Sequence, residues 1–587
     1  MNNATWDLSV FYKGFDDPAL RADIDSVKPL LKKPEEIIES DLPIVEKLEA
    51  LVDYDNEISA LLGRIMGLVH LTIAADNRNA EALRIQDELG MQMVDVKLAS
   101  SRIARYLSTV ENLDEVIASS EKLSAVAFAL KEDAENAQHM VPAHMEKELL
   151  RMSLNGADAW SKLKDRLMGT LTCEMDGKSY PLPAVRGMAY DPDPAVRKAA
   201  YEAELASYKK VETSMAYCLG CIKGETMTLC ELKGYSDPLS MTLAQNRMDH
   251  ETLDAMWTAI REALPDFRRY MRRKAEMLGH KNGLPFYDLF APMGESSKTY
   301  TIDEARELLV KTFNAINPEM GAFIDNAFEQ RWIDVYPREG KSGGAFCSGN
   351  YELNISRILT NFMGSFSDVC TLAHELGHGW HNRCMQRKPQ MLTHYPMPLA
   401  ETASIFNEEL LTHEVRKHAD EATKLTLLES ILQDATQTIV DIYSRFLFES
   451  AVVEQRKERT LSVNELKELM LSAQEESYGD GLSKEIRHSY MWACKSHYYS
   501  AGFSFYNFPY AFGQLFGAGV YAQYKEKGAS FVPRYNQLLR SCGSGMVADV
   551  AASVGIDVRS VDFWRASLKV YENQIEEFIA LADEMMA

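Results

Sequence analysis

With 587 residues, the chain has room for roughly two to four ordinary domains, or for one large core with a helical appendage. Its composition, 46% hydrophobic and 25% charged, is typical of a globular protein. The net charge of −23 argues against nucleic acid or an anionic membrane as the main partner, because phosphate groups are bound by clustered Lys and Arg.

The compartment is predicted from the N-terminus and the cysteines. Residues 1–20 lack the basic start and apolar core of a signal peptide. Nine cysteines form an odd, scattered set, and Cys218 and Cys221 in a helical segment are expected to be buried thiols. We therefore expect the protein to be located in the cytoplasm.

The first elements in chain order are helices. Residues 34–107 have apolar positions at steps of three and four, which predicts several long amphipathic helices. A hairpin is expected at residues 171–184, where Asp176-Gly177 lies between alternating residues. Pro192 and Pro194 mark a turn before another long helix. We therefore predict an N-terminal helical domain over residues 1–190 and a catalytic domain over residues 191–587.

The second half is predicted to be helical around one small sheet. Residues 332–362 combine alternating β-branched and aromatic residues with a Gly-rich turn, and helices return from Ser365 onward. The strand-like residues 351–359 are expected to form an edge strand that pairs with an extended peptide. The fold class predicted is mainly α with this sheet beside the helix that follows it.

That helix contains His374-Glu375-Leu376-Gly377-His378. Residues four apart lie on one helix face, so His374 and His378 can both reach one zinc ion. Glu375 flanks the same place, where a carboxylate can accept a proton from water. Ser365 or Ser367 is expected to cap the helix, and Gly377 implies a close-packing neighbour. The alternative is an ordinary helix, since the pentad alone also arises by chance.

The pentad has a second part downstream. After a loop with two prolines, Glu401-Thr402-Ala403-Ser404 follows His378 by 23 residues. HELGH followed by ETAS resembles the M3 family of zinc oligopeptidases, which includes oligoendopeptidase F. Residues 233–256, 340–349 and the C-terminal CGSGMVADVAASVGID are also similar to that family. Gly379-Trp380 departs from the smaller residues of many relatives.

The resemblance implies site residues and a fold. Glu401 would be the third ligand of one zinc ion, with Glu408 orienting a histidine. Residues 494–513 resemble the family's His/Tyr-rich loop, which implies that His497, Tyr506 and Tyr510 bind substrate and the oxyanion. The implied fold is a helical ellipsoid of zincin type with a deep internal substrate channel, which would admit only short peptides.

The predicted function is zinc-dependent hydrolysis of internal bonds in short peptides, with Glu375 as the general base. Two alternatives stay open: a zinc carboxypeptidase or dipeptidase on a related fold, and a non-catalytic peptide-binding protein. His2Glu ligation also suits cobalt or manganese. His381 is expected to support the metal ligands from behind or to be structural, and not to be a ligand. Cleavage preference and oligomeric state do not follow from the sequence.

Overall fold

A computed structural model describes residues 4–294, 298–386 and 388–586. Helices dominate it, so the predicted mainly α fold is confirmed. The helices and strands are α1 (Pro18–Leu30), α2 (Lys33–Glu39), α3 (Ile44–Ala75), α4 (Ala80–Leu107), α5 (Leu113–Ala118), α6 (Glu121–Ala125), α7 (Ala127–Asn136), α8 (Ala143–Ser153), α9 (Ala157–Thr170), β1 (Thr172–Met175), β2 (Lys178–Pro181), α10 (Leu182–Gly187), α11 (Pro194–Tyr208), α12 (Glu212–Leu232), α13 (Pro238–Gln245), α14 (His250–Met277), α15 (Ile302–Asn314), α16 (Pro318–Glu329), β3 (Ile333–Asp334), β4 (Phe346–Asn350), β5 (Ile355–Leu359), α17 (Phe366–Cys384), α18 (Met397–Ala400), α19 (Thr402–Arg416), α20 (Glu421–Ala435), α21 (Ile442–Arg456), α22 (Val463–Tyr478), α23 (Met491–Cys494), α24 (Phe508–Lys527), α25 (Val532–Ser541), α26 (Val547–Ala552) and α27 (Val561–Met586).

Packing divides the chain into two compact units, each assembled from three segments. The first unit comprises residues 1–140, 297–414 and 523–555, and the second comprises residues 141–296, 415–522 and 556–587. The predicted domain boundary between residues 190 and 191 stays a prediction.

The core of the first unit is built around α3. Leu48, Ile65 and Val69 of this helix are fully buried and pack with residues of α1 and α4. By length and composition alone α3 is apolar enough to cross a membrane, but its apolar side chains supply this core. Long amphipathic helices are what the spacing of residues 34–107 predicts.

The core of the second unit centres on α14 and α27. Tyr270 and Phe578 meet edge to face, with ring centroids 5.2 Å apart, and Trp564 is fully buried. The predicted turn before α11 is present: Pro194 is its first residue, and the Asp193 carboxylate accepts a hydrogen bond from the Ala195 amide at 2.8 Å. Fixed φ and a capped amide both favour a helix start there.

The hairpin of the second unit joins β1 and β2 in antiparallel register. Its turn residues Asp176 and Gly177 have φ of 52° and 73°. Positive φ at both positions is the geometry that Asp-Gly favours in a two-residue turn.

The small sheet of the first unit has the strand order β3-β5-β4, with β3 parallel and β4 antiparallel to β5. The prediction that residues 351–359 form an edge strand is therefore wrong. Their second half, β5, is the central strand, and residues 351–354 form a turn. The two edges are β3 and β4, and the small residues Ser348 and Gly349 of β4 gave only a turn signal in the sequence.

Candidate metal centre and aromatic segment

The helix that carries the pentad, α17, begins at a reciprocal cap. The Ser365 hydroxyl accepts from the Asp368 amide at 3.1 Å, and the Asp368 carboxylate accepts from the Ser365 amide at 2.9 Å. This capping box satisfies amides that would otherwise lack partners, and it confirms Ser365 as the capping residue. Leu372 and Leu376 are fully buried, so the helix is anchored in the first unit.

Gly377 permits α19 to approach α17 closely. A Cβ at this position would lie 2.6 Å from the Ala403 carbonyl oxygen and 2.7 Å from the Ser404 Cα. Asn407 of α19 adds a hydrogen bond from its side-chain amide to the Ala373 carbonyl at 3.0 Å. The close approach that the sequence predicted for Gly377 is therefore present, and it brings the start of α19 beside the histidines.

His374, His378 and Glu401 converge at this contact, and we call them the metal-ligand group. The two Nε2 atoms are 3.2 Å apart. Glu401 Oε2 lies 3.2 Å from His374 Nε2 and 3.5 Å from His378 Nε2. Glu401 occupies the junction between α18 and α19 and not the interior of a helix.

The separations within the metal-ligand group suit a tetrahedral metal. Donor atoms that each lie ~2.0–2.1 Å from a tetrahedral zinc ion are about 3.3–3.5 Å from one another. Two imidazoles and one carboxylate are also a common donor set of catalytic zinc sites. The residues present therefore fit one divalent cation, and three donors leave one tetrahedral position for a further ligand.

Contacts behind the metal-ligand group fix its orientation. Glu408 Oε1 lies 2.7 Å from His374 Nδ1, which leaves Nε2 of that ring directed at the group. Ser404 donates from its hydroxyl to Glu401 Oε2 at 2.7 Å. Carboxylate–histidine contacts of this kind orient metal ligands and raise their basicity. The predicted contact of Glu408 with one of the histidines is present.

The electrostatics of the group favour a bound positive charge. Burial alone would raise the pKa of Glu401, but the hydrogen bond with His374 and the charges of both histidines lower it to about 2. Burial disfavours the charged form of His374 as well, yet hydrogen bonds with Glu401 and Glu408 raise its pKa. Burial lowers the pKa of His378 to about 4, so this ring is neutral, the form that binds metals.

Glu375 differs from the other carboxylates of the site. Its side chain is buried, and among the described residues Oε2 has no hydrogen-bond partner. Burial, together with the negative charge of Glu401, raises its pKa to about 7 despite the opposing charge of His374. A carboxylate with a pKa near neutrality and an unused oxygen is suited to proton transfer.

His381 has a packing role. It is fully buried, stacks on Tyr395 with ring centroids 4.3 Å apart, and places Nε2 3.2 Å from the Leu539 carbonyl oxygen. Burial lowers its pKa to about 3, so the ring is neutral. It is thus a structural histidine of the first unit, one of the two roles that its position in the sequence allowed.

The other predicted site residues lie in the second unit and cluster there. The His497 and Tyr506 rings stack at 5.4 Å, and Tyr510 is 6.4 Å from His497 and 5.9 Å from Tyr506 between ring centroids. Within the described chain, His497 Nδ1 is buried without a hydrogen-bond partner. Burial, with the charges of Arg445 and Lys495, lowers the pKa of His497 to about 4, so the ring is neutral.

A buried ion pair holds the backbone just before Tyr506. Lys223 Nζ lies 2.5 Å from Glu449 Oε1, and both side chains are almost fully buried. The same Glu449 oxygen accepts from the Phe505 amide at 2.9 Å, and Lys223 also contacts the Ser504 hydroxyl at 3.2 Å. Phe505 has φ of 52°, a strained value for a non-glycine residue, so the surrounding contacts must hold it.

None of the residues predicted from the sequence was Lys223, Glu449 or Asn407. A lysine within the apolar run of α12 was the one available signal for the first of these, because lysine is seldom buried unless it is paired. Asn407 gave no signal, since its partner is a backbone carbonyl of another helix.

Comparisons with known proteins agree with this architecture. A family model described as Peptidase family M3 matches residues 187–570. Oligopeptidase PepF of Bacillus subtilis (strain 168) is 24% identical over 595 residues, covering 98% of this chain and 86% of that protein. A Chlamydophila abortus protein solved as a candidate peptidase has a TM-score of 0.84 at 23% identity, with 99% and 98% of the two chains covered. Oligoendopeptidase-F from Enterococcus faecium has a TM-score of 0.70 at 18% identity, with 96% and 99% covered.

A helical fold with HExxH on one helix and a glutamate at the start of another defines a metallo-oligopeptidase. The family match is more specific. The chain belongs to peptidase family M3, and it is an oligoendopeptidase F-like member.

Proposed function

We propose that the chain is a zinc-dependent oligoendopeptidase that hydrolyses internal bonds of short peptides in the cytoplasm. One observation carries the proposal. The donor atoms of the metal-ligand group lie within 3.5 Å of one another, beside the buried Glu375, whose Oε2 makes no hydrogen bond among the described residues. When bound, zinc acts as a Lewis acid that polarises a carbonyl and makes water more acidic.

Each site residue that lies in the first unit has one role in the proposed reaction. His374, His378 and Glu401 hold the cation, and Glu408 keeps His374 in the tautomer whose Nε2 is the ligand. Glu375 accepts a proton at Oε2 from the attacking water and donates it to the departing amine. Its pKa of about 7 suits both transfers, because neither the acid nor the base form is strongly disfavoured near neutral pH.

His497, Tyr506 and Tyr510 are proposed to donate hydrogen bonds to the substrate and to the oxyanion of the tetrahedral intermediate. The proposal is supported by the family resemblance and by the unpartnered His497 Nδ1. A donor of this kind is commonly worth ~10²–10³ in kcat. Phenol and neutral imidazole can each donate without carrying a charge into the site.

The edge strand β4 is the proposed binding element for extended peptide. A cavity of about 210 Å³ lies between it and α3, lined by Gly63 and Gly67 on the helix and by Ser348 and Gly349 on the strand. Main-chain pairing with a free strand edge recognises little side-chain identity. This replaces residues 351–359 as the expected pairing strand.

The proposal is tested with an internally quenched peptide of about ten residues whose two ends are blocked. We expect wild-type protein with one zinc per chain to cleave it internally. Glu375→Gln should retain the zinc and lose nearly all cleavage, whereas Glu468→Gln, an exposed glutamate of α22, should match wild type.

Two results would redirect the proposal. Zinc binding without cleavage of the blocked peptide, followed by cleavage of a free-ended one, would favour the carboxypeptidase or dipeptidase. A metal-free protein after reconstitution with zinc would contradict the metal-ligand group itself.

A further inference from the structure

The second unit contains a cavity of about 430 Å³ that the proposed reaction does not use. Its volume is within the ~300–1,000 Å³ range typical of small-molecule sites. Much of its wall is aromatic: Tyr201, Phe286, Tyr287 and Phe290 line it, and neighbouring rings pack at centroid distances of 5.9–6.3 Å. Such walls favour a flat or bulky apolar group.

The charged groups of this cavity do not cancel. Arg197 is neutralised by Asp288, whose Oδ1 lies 2.7 Å from Arg197 Nε in a fully buried pair. Arg186 contacts Glu204 at 3.2 Å. Lys495 lines the same cavity and is the remaining cation, so the wall carries one excess positive charge.

Lys495 lacks a direct counterion. Within the described chain it makes no hydrogen bond and no ion pair, although Asp441 and the cation Arg445 act on it at longer range. Burial, together with Arg445, lowers its pKa, because the ammonium group has lost water without gaining a bonded anion. A bound carboxylate would supply the missing interaction.

His488 is the second unsatisfied group. It lines the cavity and its side chain is 2% exposed; Nε2 lies 3.4 Å from Glu204 Oε1 without hydrogen-bond geometry, and Nδ1 makes no hydrogen bond among the described residues. Its backbone is fixed on both sides, since the Gln474 side chain bonds both the amide and the carbonyl of His488. A buried, unsatisfied imidazole costs free energy unless a ligand or water completes it.

From these observations we propose that the cavity binds a small molecule with one carboxylate on an aromatic or bulky apolar body, the carboxylate next to Lys495 and a polar group of the body next to His488. The free carboxyl end of a cleaved peptide and a simple aromatic acid share this chemistry. The site belongs to the second unit and does not depend on the proposed peptidase activity.

The test is calorimetric titration of the full-length, zinc-loaded protein with N-acetylphenylalanine. We expect saturable binding of one molecule per chain. The uncharged probe N-acetylphenylalaninamide should bind at least tenfold more weakly, since it lacks the carboxylate. Acetate should not compete, which separates this site from any metal that binds carboxylates.

A second acid, 3-phenylpropanoate, lacks the amide of N-acetylphenylalanine. Equal affinity for the two acids identifies a site for simple aromatic acids, and weaker affinity for 3-phenylpropanoate identifies a site for peptide carboxyl ends.

Variants locate the binding. Lys495→Met should weaken N-acetylphenylalanine at least tenfold, and Lys495→Arg should restore much of the affinity. Lys525→Met, an exposed lysine of α24, is the matched control and should bind as wild type. Gly187→Phe introduces a side chain at a cavity-lining position where a Cβ meets no atom within 4 Å, so it should block the site without a charge change.

Equal affinity for the acid and the amide would overturn the proposal, as would binding unaffected by Lys495→Met. If Lys495→Met does not fold, undiminished binding by Gly187→Phe has the same meaning. The titration measures binding and not cleavage. Its result is therefore independent of whether the protein cleaves peptides and of how the Glu375→Gln variant behaves.

Discussion

The metal-ligand group and the aromatic segment, residues 494–513, prepare their polar side chains in opposite ways. In the metal-ligand group two of the three ligands are held from behind by another side chain: Glu408 holds His374 and Ser404 holds Glu401. In the aromatic segment the supports act on the backbone, at Ser504 and Phe505, and His497 Nδ1 is unpartnered in the described structure. The difference suggests that a cation requires prealigned donor atoms, whereas a substrate requires donors that are still unsatisfied.

The largest effect is expected from a ligand of the metal group. His378→Gln removes one of the two imidazole ligands, so both zinc binding and cleavage should be lost. Zinc affinity should fall by more than the ~10–100-fold typical of mutating a residue that only contacts a metal ligand. Metal analysis and the quenched peptide measure this together. Retention of zinc with normal cleavage would mean that His378 is not a ligand.

The next effect concerns the support behind the aromatic segment. Lys223→Met leaves Glu449 buried and unpaired, which should lower the free energy of unfolding by about 3–5 kcal/mol. The double variant Lys223→Met/Glu449→Met removes both charges and should recover most of the urea midpoint.

The double variant also separates stability from positioning. It still lacks the acceptor of the Phe505 amide, so we expect kcat to stay reduced with KM and zinc content close to wild type. A wild-type kcat in this folded double variant would show that the ion pair does not position Tyr506.

Tyr506, which stacks on His497, tests the aromatic-segment side of the comparison. Tyr506→Phe keeps the ring that stacks on His497 and removes one hydroxyl. We expect kcat to fall by ~10²–10³ with one zinc retained, as for loss of one oxyanion donor. Tyr217→Phe, an exposed tyrosine of the same unit, is the control. A change in KM alone would indicate substrate binding and not transition-state stabilisation.

Glu408 tests the prealigned side. Glu408→Gln replaces the carboxylate 2.7 Å from His374 Nδ1 with a neutral amide. Zinc affinity should fall by ~10–100-fold, measured by competition with a chelator. Excess zinc should then restore most of the cleavage, which it cannot do for Tyr506→Phe. An unchanged zinc affinity would contradict the orienting role of Glu408.

The last expected effect is a pH dependence of stability. Burial lowers the pKa of His381 in the folded state to about 3, below its ordinary value of 6.5. At any pH between these two values the unfolded state therefore binds more protons than the folded state. The stabilisation is complete above pH ~6.5 and should decrease by up to ~1.4 kcal/mol per pH unit as the pH falls toward 3.

Urea midpoints at pH 7, 6 and 5 measure this decrease. His381→Gln should show a shallower loss than wild type, and His144→Gln, an exposed histidine, should follow wild type. Parallel curves for wild type and His381→Gln would show that the ring does not resist protonation.

Local signals in the sequence determined much of the fold and part of the site. Several features depend only on neighbours within a few residues, so they can be predicted from the sequence. They are the helical periodicity, the Asp-Gly hairpin turn, the Asp193-Pro194 helix start and the Ser365 cap. The four-residue spacing of His374 and His378 belongs to the same class, because it fixes both side chains on one helix face.

Only the tertiary structure decided the rest. It placed β4 and not β5 at the sheet edge, since strand order depends on which segments find one another in three dimensions. Convergence of Glu401 on the histidines requires the α17–α19 contact at Gly377, and the Lys223–Glu449 pair joins residues 226 positions apart. Spacing along a chain specifies a helix face, whereas a burial environment and a distant partner exist only once the helices have packed.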